Sequence, residues 1–321
     1  MQLGMSEASD VRHETRCTLC PRQCGADRSQ ISHVPHPASF CGASDRMEVA
    51  SVCLHRGEEP PLNPIVNIFF AHCNLQCVYC QNWQISKTER GKWKEETVDH
   101  LAEEICSLLP ESDGMLGLVT AAHYADHIPE LVDAIRSRLS AAHTPSPTIV
   151  YNSGGYERVE TLRPLEGLID IYLPDFKYMD STLAAAYSHA PDYPEVAMAA
   201  LREMQRQVGT GLKVDADGRA YRGLIVRHLV LPGAVDNSLR CLDWLADEFA
   251  PFGNLHLSLM AQYFPPREGL PAPLDRTLEA EEYARVVEHA TALGLTEGWI
   301  QELTAQDHYR PDFTHPHPFN F

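Results

Sequence analysis

Six times between residues 64 and 292, a short run of apolar and β-branched residues gives way to a stretch with helical periodicity. This alternation limits what the chain can fold into more than any other feature. The runs expected as strands are Ile65–Phe70, Met115–Thr120, Thr148–Tyr151, Ile169–Leu173, Leu224–Leu231 and Leu255–Met260. The helices expected between and after them are Val98–Leu109, Ile128–Leu139, Val159–Leu165, Glu195–Val208, Leu239–Glu248 and Glu279–Leu293. Strands that are apolar on both faces belong to a parallel sheet covered by helices. Six such units predict an open, partial (β/α) barrel more naturally than a closed eight-fold one. Thr210–Gly223 interrupts the rhythm, and its Asp-Ala-Asp-Gly core predicts a hairpin turn.

Three regions follow: residues 1–60, rich in Cys, His and Pro; the barrel at 61–297; and an extension at 298–321 whose Thr-His-Pro-His-Pro-Phe stretch is expected as a solvated tail. A formal net charge of −18 disfavours nucleic acid and anionic membrane as partners. Residues 1–16 contain no apolar run and no later segment is long and apolar enough to span a bilayer, so the cytoplasm is the expected compartment. In that setting the ten cysteines are expected as thiols, seven of them grouped as metal ligands.

One group is Cys73, Cys77 and Cys80, spaced C-x3-C-x2-C directly after the first barrel strand. Three thiolates on one loop can ligate three irons of a [4Fe–4S] cubane and leave the fourth iron open to a small molecule. The competing reading is a zinc knuckle with a distant fourth ligand. Zinc sites usually show paired C-x2-C units, and barrel enzymes place their chemistry at this end of a strand, so the cluster is the expectation. The other group is Cys17, Cys20, Cys24 and Cys41, spaced C-x2-C-x3-C-x16-C. Four thiolates there suit zinc, a rubredoxin-like iron or an auxiliary iron–sulfur cluster, with His33 and His36 as possible substitutes in the long loop. Cys53, Cys106 and Cys241 are isolated and are expected as small buried hydrophobes.

The central loop, with Tyr79 just before its last cysteine, resembles the signature of the radical S-adenosylmethionine superfamily. Glu58-Glu59-Pro60-Pro61, Cys80-Gln81-Asn82, Tyr151-Asn152-Ser153-Gly154-Gly155-Tyr156, Asp175-Phe176-Lys177-Tyr178, Arg227-His228-Leu229-Val230-Leu231-Pro232-Gly233 and Met260-Ala261-Gln262-Tyr263 resemble its PflX-like branch. That branch comprises relatives of the pyruvate formate-lyase activating enzyme. The resemblance implies a [4Fe–4S] cluster on Cys73, Cys77 and Cys80 that cleaves S-adenosylmethionine to a hydrogen-abstracting 5′-deoxyadenosyl radical. It also implies an electron donor such as flavodoxin or ferredoxin. By position, Tyr79 would lie against adenine, and Asp175, Lys177, Asn152, Ser153 and Arg227 would contact the cofactor. Adjacent strand residues face opposite sides, so only one of Arg227 and His228 can point inward, and Arg227 is the expectation.

Two departures from the activating enzymes stand out. The Gly-Gly-Glu type turn after the second strand reads Val119-Thr120-Ala121-Ala122-His123, and a late histidine is replaced by Gln262-Tyr263. The sequence thus leaves three functions: a radical enzyme acting on a protein or peptide, one acting on a small molecule, and a non-enzymatic metal-bearing interaction module.

Overall fold

The computed structural model describes residues 16–30, 39–86, 93–253, 255–308, 310–315 and 317–319. Ten strands form its sheet: β1 (Met47–His55), β2 (Ile65–Phe70), β3 (Lys94–Glu96), β4 (Met115–Val119), β5 (Thr148–Ser153), β6 (Ile171–Pro174), β7 (Lys213–Val214), β8 (Ala220–Leu229), β9 (His256–Met260) and β10 (Gly298–Ile300). The helices are α1 (Trp83–Ser86), α2 (Val98–Leu108), α3 (Ile128–Ala141), α4 (Val159–Leu162), α5 (Ser181–Ser188), α6 (Tyr193–Val208), α7 (Val235–Phe249) and α8 (Ala280–Ala292).

The expected strands β2, β4, β5, β6, β8 and β9 lie side by side in chain order, every neighbouring pair parallel. This winding is that of a barrel. The sheet stays open, because β1 and β3 add antiparallel to one edge and β10 adds parallel to the other. The fold is therefore the expected partial (β/α)6 barrel, with one strand from the Cys-rich region and one from beyond residue 297 extending its edges.

Two apolar layers separate along each strand. Val66, Ile68, Leu116, Leu118, Ile149, Tyr151 and Tyr172 pack outward with helix residues such as Leu101, Leu131 and Leu201. Ile65, Met115, Val150, Ile171, Leu173 and Ile225 pack together on the inner face. The period of two sets this division. At about 4.8 Å per strand, β2 and β9 would stand roughly 24 Å apart in a flat sheet. Asn67 of β2 and Met260 of β9 nevertheless line one cavity, so the sheet curls around it.

The Asp-Ala-Asp-Gly turn joins β7 to β8, with Asp215 Oδ1 accepting from the amides of Asp217 at 3.0 Å and Arg219 at 2.9 Å. α5 was not expected. It is short and Ala-rich, and the Asp180 side chain caps it by accepting from Thr182 and Leu183 amides. Among the described residues, no helix is long and apolar enough to cross a membrane.

Candidate active site at the barrel mouth

The loop from Ala71 to Cys80 leaves the C-terminal end of β2, and two non-glycine residues within it, His72 (φ 72°) and Gln76 (φ 53°), take the left-handed conformation. Such residues persist only where surrounding contacts hold them. His72 Nε2 donates to the buried Glu48 carboxylate at 2.9 Å, and Glu48 also accepts from Trp93 Nε1 at 3.1 Å and Tyr124 Oη at 3.1 Å. Burial alone would raise the Glu48 carboxyl; these donors hold it down at about 2. His123 Nε2, from the turn after β4, donates to Ala71 O at 2.7 Å. The far side of the loop is fixed by Asn74 Nδ2, which donates to Tyr156 O at 2.8 Å.

These braces set all three loop thiols, Cys73, Cys77 and Cys80, into the wall of a cavity of about 210 Å³. Ser188 Oγ donates to Cys77 Sγ at 2.9 Å, and the Leu75 amide to Cys73 Sγ at 3.3 Å. Burial pushes the Cys73 thiol up to about 11 and the Cys80 thiol to about 12. Such desolvated thiols ionise when a metal takes the proton's place. Among the described residues, only Glu96, His100 and Glu104 bring three ligand atoms within 4.8 Å of one another. No three of the loop sulfurs lie within 4.8 Å of one another. Thiolates that each serve a separate iron of a cubane need that wider spacing, so the donor set fits an iron–sulfur cluster.

Every residue expected at the cofactor lines the same cavity: Tyr79, Asn152, Ser153, Asp175, Lys177 and Arg227. Lys177 Nζ and Asp175 Oδ2 are 2.5 Å apart. Burial would lower the Lys177 ammonium, but the Asp175 charge wins and holds it well above its usual value. Arg227 does face inward, while His228 is fully buried on the other side with its Nδ1 2.6 Å from Phe176 O. Ser153 Oγ accepts from the Gly155 amide at 3.1 Å, so it shapes the turn as well as the wall. That turn requires glycine: at Gly155 (φ +76°) a Cβ would lie 2.1 Å from Asp175 O. Tyr79 Oη is 2.6 Å from Tyr178 Oη, which orients the ring.

The partners of Arg227 were not legible in the sequence. Its guanidinium forks onto Glu59 (Nε–Oε1 2.8 Å, Nη2–Oε2 2.5 Å) and reaches Glu58 Oε2 at 3.1 Å. Gln262 Nε2, at the place of the late histidine, donates to Glu58 Oε1 at 3.0 Å and to Gln81 Oε1 at 3.3 Å. Three carboxylates (Glu58, Glu59, Asp175) thus face two cations (Lys177, Arg227), with His55 Nε2 3.8 Å from Glu58 Oε2. Carboxylates gathered in this way suit a ligand that carries positive charge. Pro311 and Phe319 also line the cavity, and the Phe319 ring lies 4.3 Å from that of His55 and 5.6 Å from that of Phe69. The segment expected as a solvated tail therefore covers part of the mouth.

Glu157 lies at the inner end of the Gly-Gly turn and is only 3% exposed. Burial raises its carboxyl to about 8, against the pull of hydrogen bonds from Ser153 and Tyr151. The folded state keeps a proton that the unfolded chain releases near the ordinary glutamate value. Stability from this group is therefore complete at low pH and is lost as pH rises toward about 8. Glu157→Gln should remove that slope of about 1.4 kcal/mol per pH unit, which urea unfolding at pH 5 and pH 8 would measure.

The four N-terminal cysteines fold around a tight turn, in which the Gln23 amide donates to Cys20 O at 3.0 Å and the Gly25 amide to Cys17 O at 3.1 Å. Cys20 and Cys41 are buried, Cys17 and Cys24 half-buried. His33 and His36 lie outside the described residues.

No protein-family model matches the chain. A curated relative, an uncharacterized protein of Methanocaldococcus jannaschii, is 26% identical over 282 residues, spanning 87% of this chain and 75% of the relative. Among solved structures, anSMEcpe with bound AdoMet is similar at a TM-score of 0.48 and 11% identity, over 69% of this chain and 57% of that one. HydG, a maturase of the [FeFe]-hydrogenase, is similar at 0.47 and 13% identity, over 74% and 52%. The radical S-adenosylmethionine methyltransferase TsrM from Kitasatospora setae is similar at 0.45 and 13% identity, over 67% and 42%. The chain spans less than two thirds of each of these three structures.

Proposed function

We propose that this chain is a radical S-adenosylmethionine enzyme of the PflX-like branch that attacks its substrate by hydrogen abstraction. The observation that carries the reading is the convergence of Cys73, Cys77 and Cys80 on a cavity that also holds the Lys177–Asp175 and Arg227–Glu58–Glu59 ion pairs. When bound, the cluster supplies the electron that splits the sulfonium C–S bond into methionine and a 5′-deoxyadenosyl radical.

The chain's own residues then have defined tasks. Lys177, kept charged by Asp175, receives the methionyl carboxylate. The carboxylates of Glu58, Glu59 and Asp175 favour the cationic ammonium and sulfonium groups. Tyr79, fixed by Tyr178, offers a face to the adenine ring. Apolar Leu173, Leu229 and Met260 line the interior and exclude water from a reactive intermediate.

The sequence resemblance points to a protein or peptide as the hydrogen donor. A second reading, a small molecule, is favoured by Pro311 and Phe319, which narrow the mouth. Anaerobic reconstitution with iron and sulfide, then dithionite and S-adenosylmethionine, should yield 5′-deoxyadenosine; no product from intact, iron-loaded protein would sink the proposal. Cell extract separated by ultrafiltration decides the target. Stimulation by the retained proteins supports the first reading, and stimulation by the filtrate supports the second.

A further inference from the structure

The N-terminal quartet is built directly onto the loop that carries the central cysteines. Arg22, between Cys20 and Cys24, donates from Nε to Asn74 O at 3.0 Å, between Cys73 and Cys77. Its other guanidinium nitrogens reach His189 O and, at 3.1 Å, Ser188 O. The same Ser188 donates its hydroxyl proton to Cys77 Sγ at 2.9 Å. A second link runs from Gln76 Nε2 to Phe40 O at 2.8 Å, so the residue before Cys77 is hydrogen-bonded to the residue before Cys41. The Arg22 guanidinium lies over the Phe40 ring, 3.9 Å from its centroid, and stiffens both links. Each cysteine group is therefore one hydrogen bond and a few covalent bonds from the other.

The spacing of the quartet bears on what it holds. Four thiolates on one zinc ion, each about 2.3 Å from the metal, stand roughly 3.8 Å apart at tetrahedral angles. All four quartet cysteines are described, and no three of their sulfurs lie within 4.8 Å of one another. The central cysteines show the same wide spacing. Thiolates that each bind a different iron of a cubane stand farther apart than thiolates sharing one ion. The two hydrogen-bonded links brace the loops whatever metal is bound; zinc is redox-inert, whereas an iron–sulfur cluster at their end can exchange electrons with the central loop.

We infer that Cys17, Cys20, Cys24 and Cys41 hold a second [4Fe–4S] cluster, and that it passes electrons to the group on Cys73, Cys77 and Cys80 through the Arg22–Ser188 and Gln76–Phe40 contacts. The relay rests on the function proposed above; the second cluster does not. Each turnover moves one electron. A low-potential one-electron carrier of the ferredoxin or flavodoxin class is oxidised by one electron, the quartet cluster goes from 2+ to 1+, and it returns to 2+ as the central cluster is reduced. No proton or bond is exchanged in that transfer.

The test uses the full chain, reconstituted with iron, sulfide and zinc together. Wild type should carry about eight irons, and the triple variant Cys73→Ala, Cys77→Ala, Cys80→Ala about four, with negligible zinc in both. Zinc at one per chain with only the central iron would overturn the second cluster, and this measurement on wild type needs no variant to fold. In dithionite-reduced protein, electron paramagnetic resonance should show two signals broadened by mutual spin coupling. S-adenosylmethionine should shift one of them, and the triple variant should retain the other, sharpened. Two uncoupled signals would overturn the relay while leaving the second cluster standing. Failure of S-adenosylmethionine to shift either signal would instead refute the proposed function. Gln76→Leu, which keeps size and removes one link, should slow reduction of the central signal by ferredoxin at least several-fold without changing iron content; an unchanged rate would overturn the route through Gln76.

Discussion

Cys77→Ala should abolish 5′-deoxyadenosine formation, a loss of more than about 100-fold, because even outer-shell substitutions at metal sites cost up to that much. Cys77 is the buried member of the loop trio and accepts a hydrogen bond from Ser188. Its removal leaves two thiols on the loop and should halve or eliminate the iron bound there. Global stability should change by only about 1 kcal/mol, the usual cost of a small buried truncation, so the melting temperature of the metal-free protein serves as the control. Cys106→Ala, at a half-buried thiol remote from the cavity wall, should retain full activity. Product from Cys77→Ala at more than a tenth of the wild-type rate would contradict the assignment.

Arg227→Met should be the most damaging change to the fold among residues of the mouth. The guanidinium is 13% exposed and is the charged partner of two carboxylates that are less exposed still, Glu58 at 8% and Glu59 at 2%. Removing one member of such a group leaves uncompensated buried charge, at a cost of about 3–5 kcal/mol. Burial pushes the Glu58 carboxyl up, but Arg227 and His55 pull harder and hold it well below the usual range. In wild type that contribution is present above the ordinary carboxylate range and fades as pH falls. The difference between wild type and Arg227→Met should therefore be greatest near neutrality and shrink below about pH 4, where the unfolded glutamate also takes up a proton. Denaturant unfolding across that range would show it. The double variant Arg227→Met, Glu59→Gln should recover part of the loss, since one of the two stranded charges is gone; no recovery would mean that the ion pairs are not what holds these segments.

The barrel was legible because its strands are buried on both faces. Ile65–Phe70 and Met115–Val119 are apolar at nearly every position, and only a covered parallel sheet asks for that. β1 was hidden for the opposite reason. It lies next to the edge, covered there only by the three-residue β3, its residues alternate in burial from Val49 to His55, and it sits beside a cysteine-rich stretch that draws attention to metal. Its apolar Ala50, Val52 and Leu54 are the half-buried positions while Ser51 and His55 are buried, so its polarity pattern runs against its burial. The grouping of the cysteine trio was readable from local spacing, and strand parity told that only one of Arg227 and His228 faces inward; the choice of Arg227 came with the family resemblance. The Glu58–Glu59 clamp, the Glu48 brace under His72 and the Arg22 contact to Asn74 were not readable. Each joins residues separated by 24 to 169 positions, and one sequence carries no record of such pairings. The buried Glu157 was missed because a glutamate after a turn is ordinarily solvated.

The cover over the cavity also orders events in time. Pro311 lies 231 residues after Cys80 in the chain, and the cavity wall is incomplete without it. At about 5–20 residues per second, a ribosome needs roughly 10–50 s to travel that distance. Throughout this interval the nascent chain carries its thiol loop without that cover. On the function proposed above, iron and sulfide delivered during synthesis meet an open site, and those delivered afterwards meet a mouth already narrowed by Pro311 and Phe319.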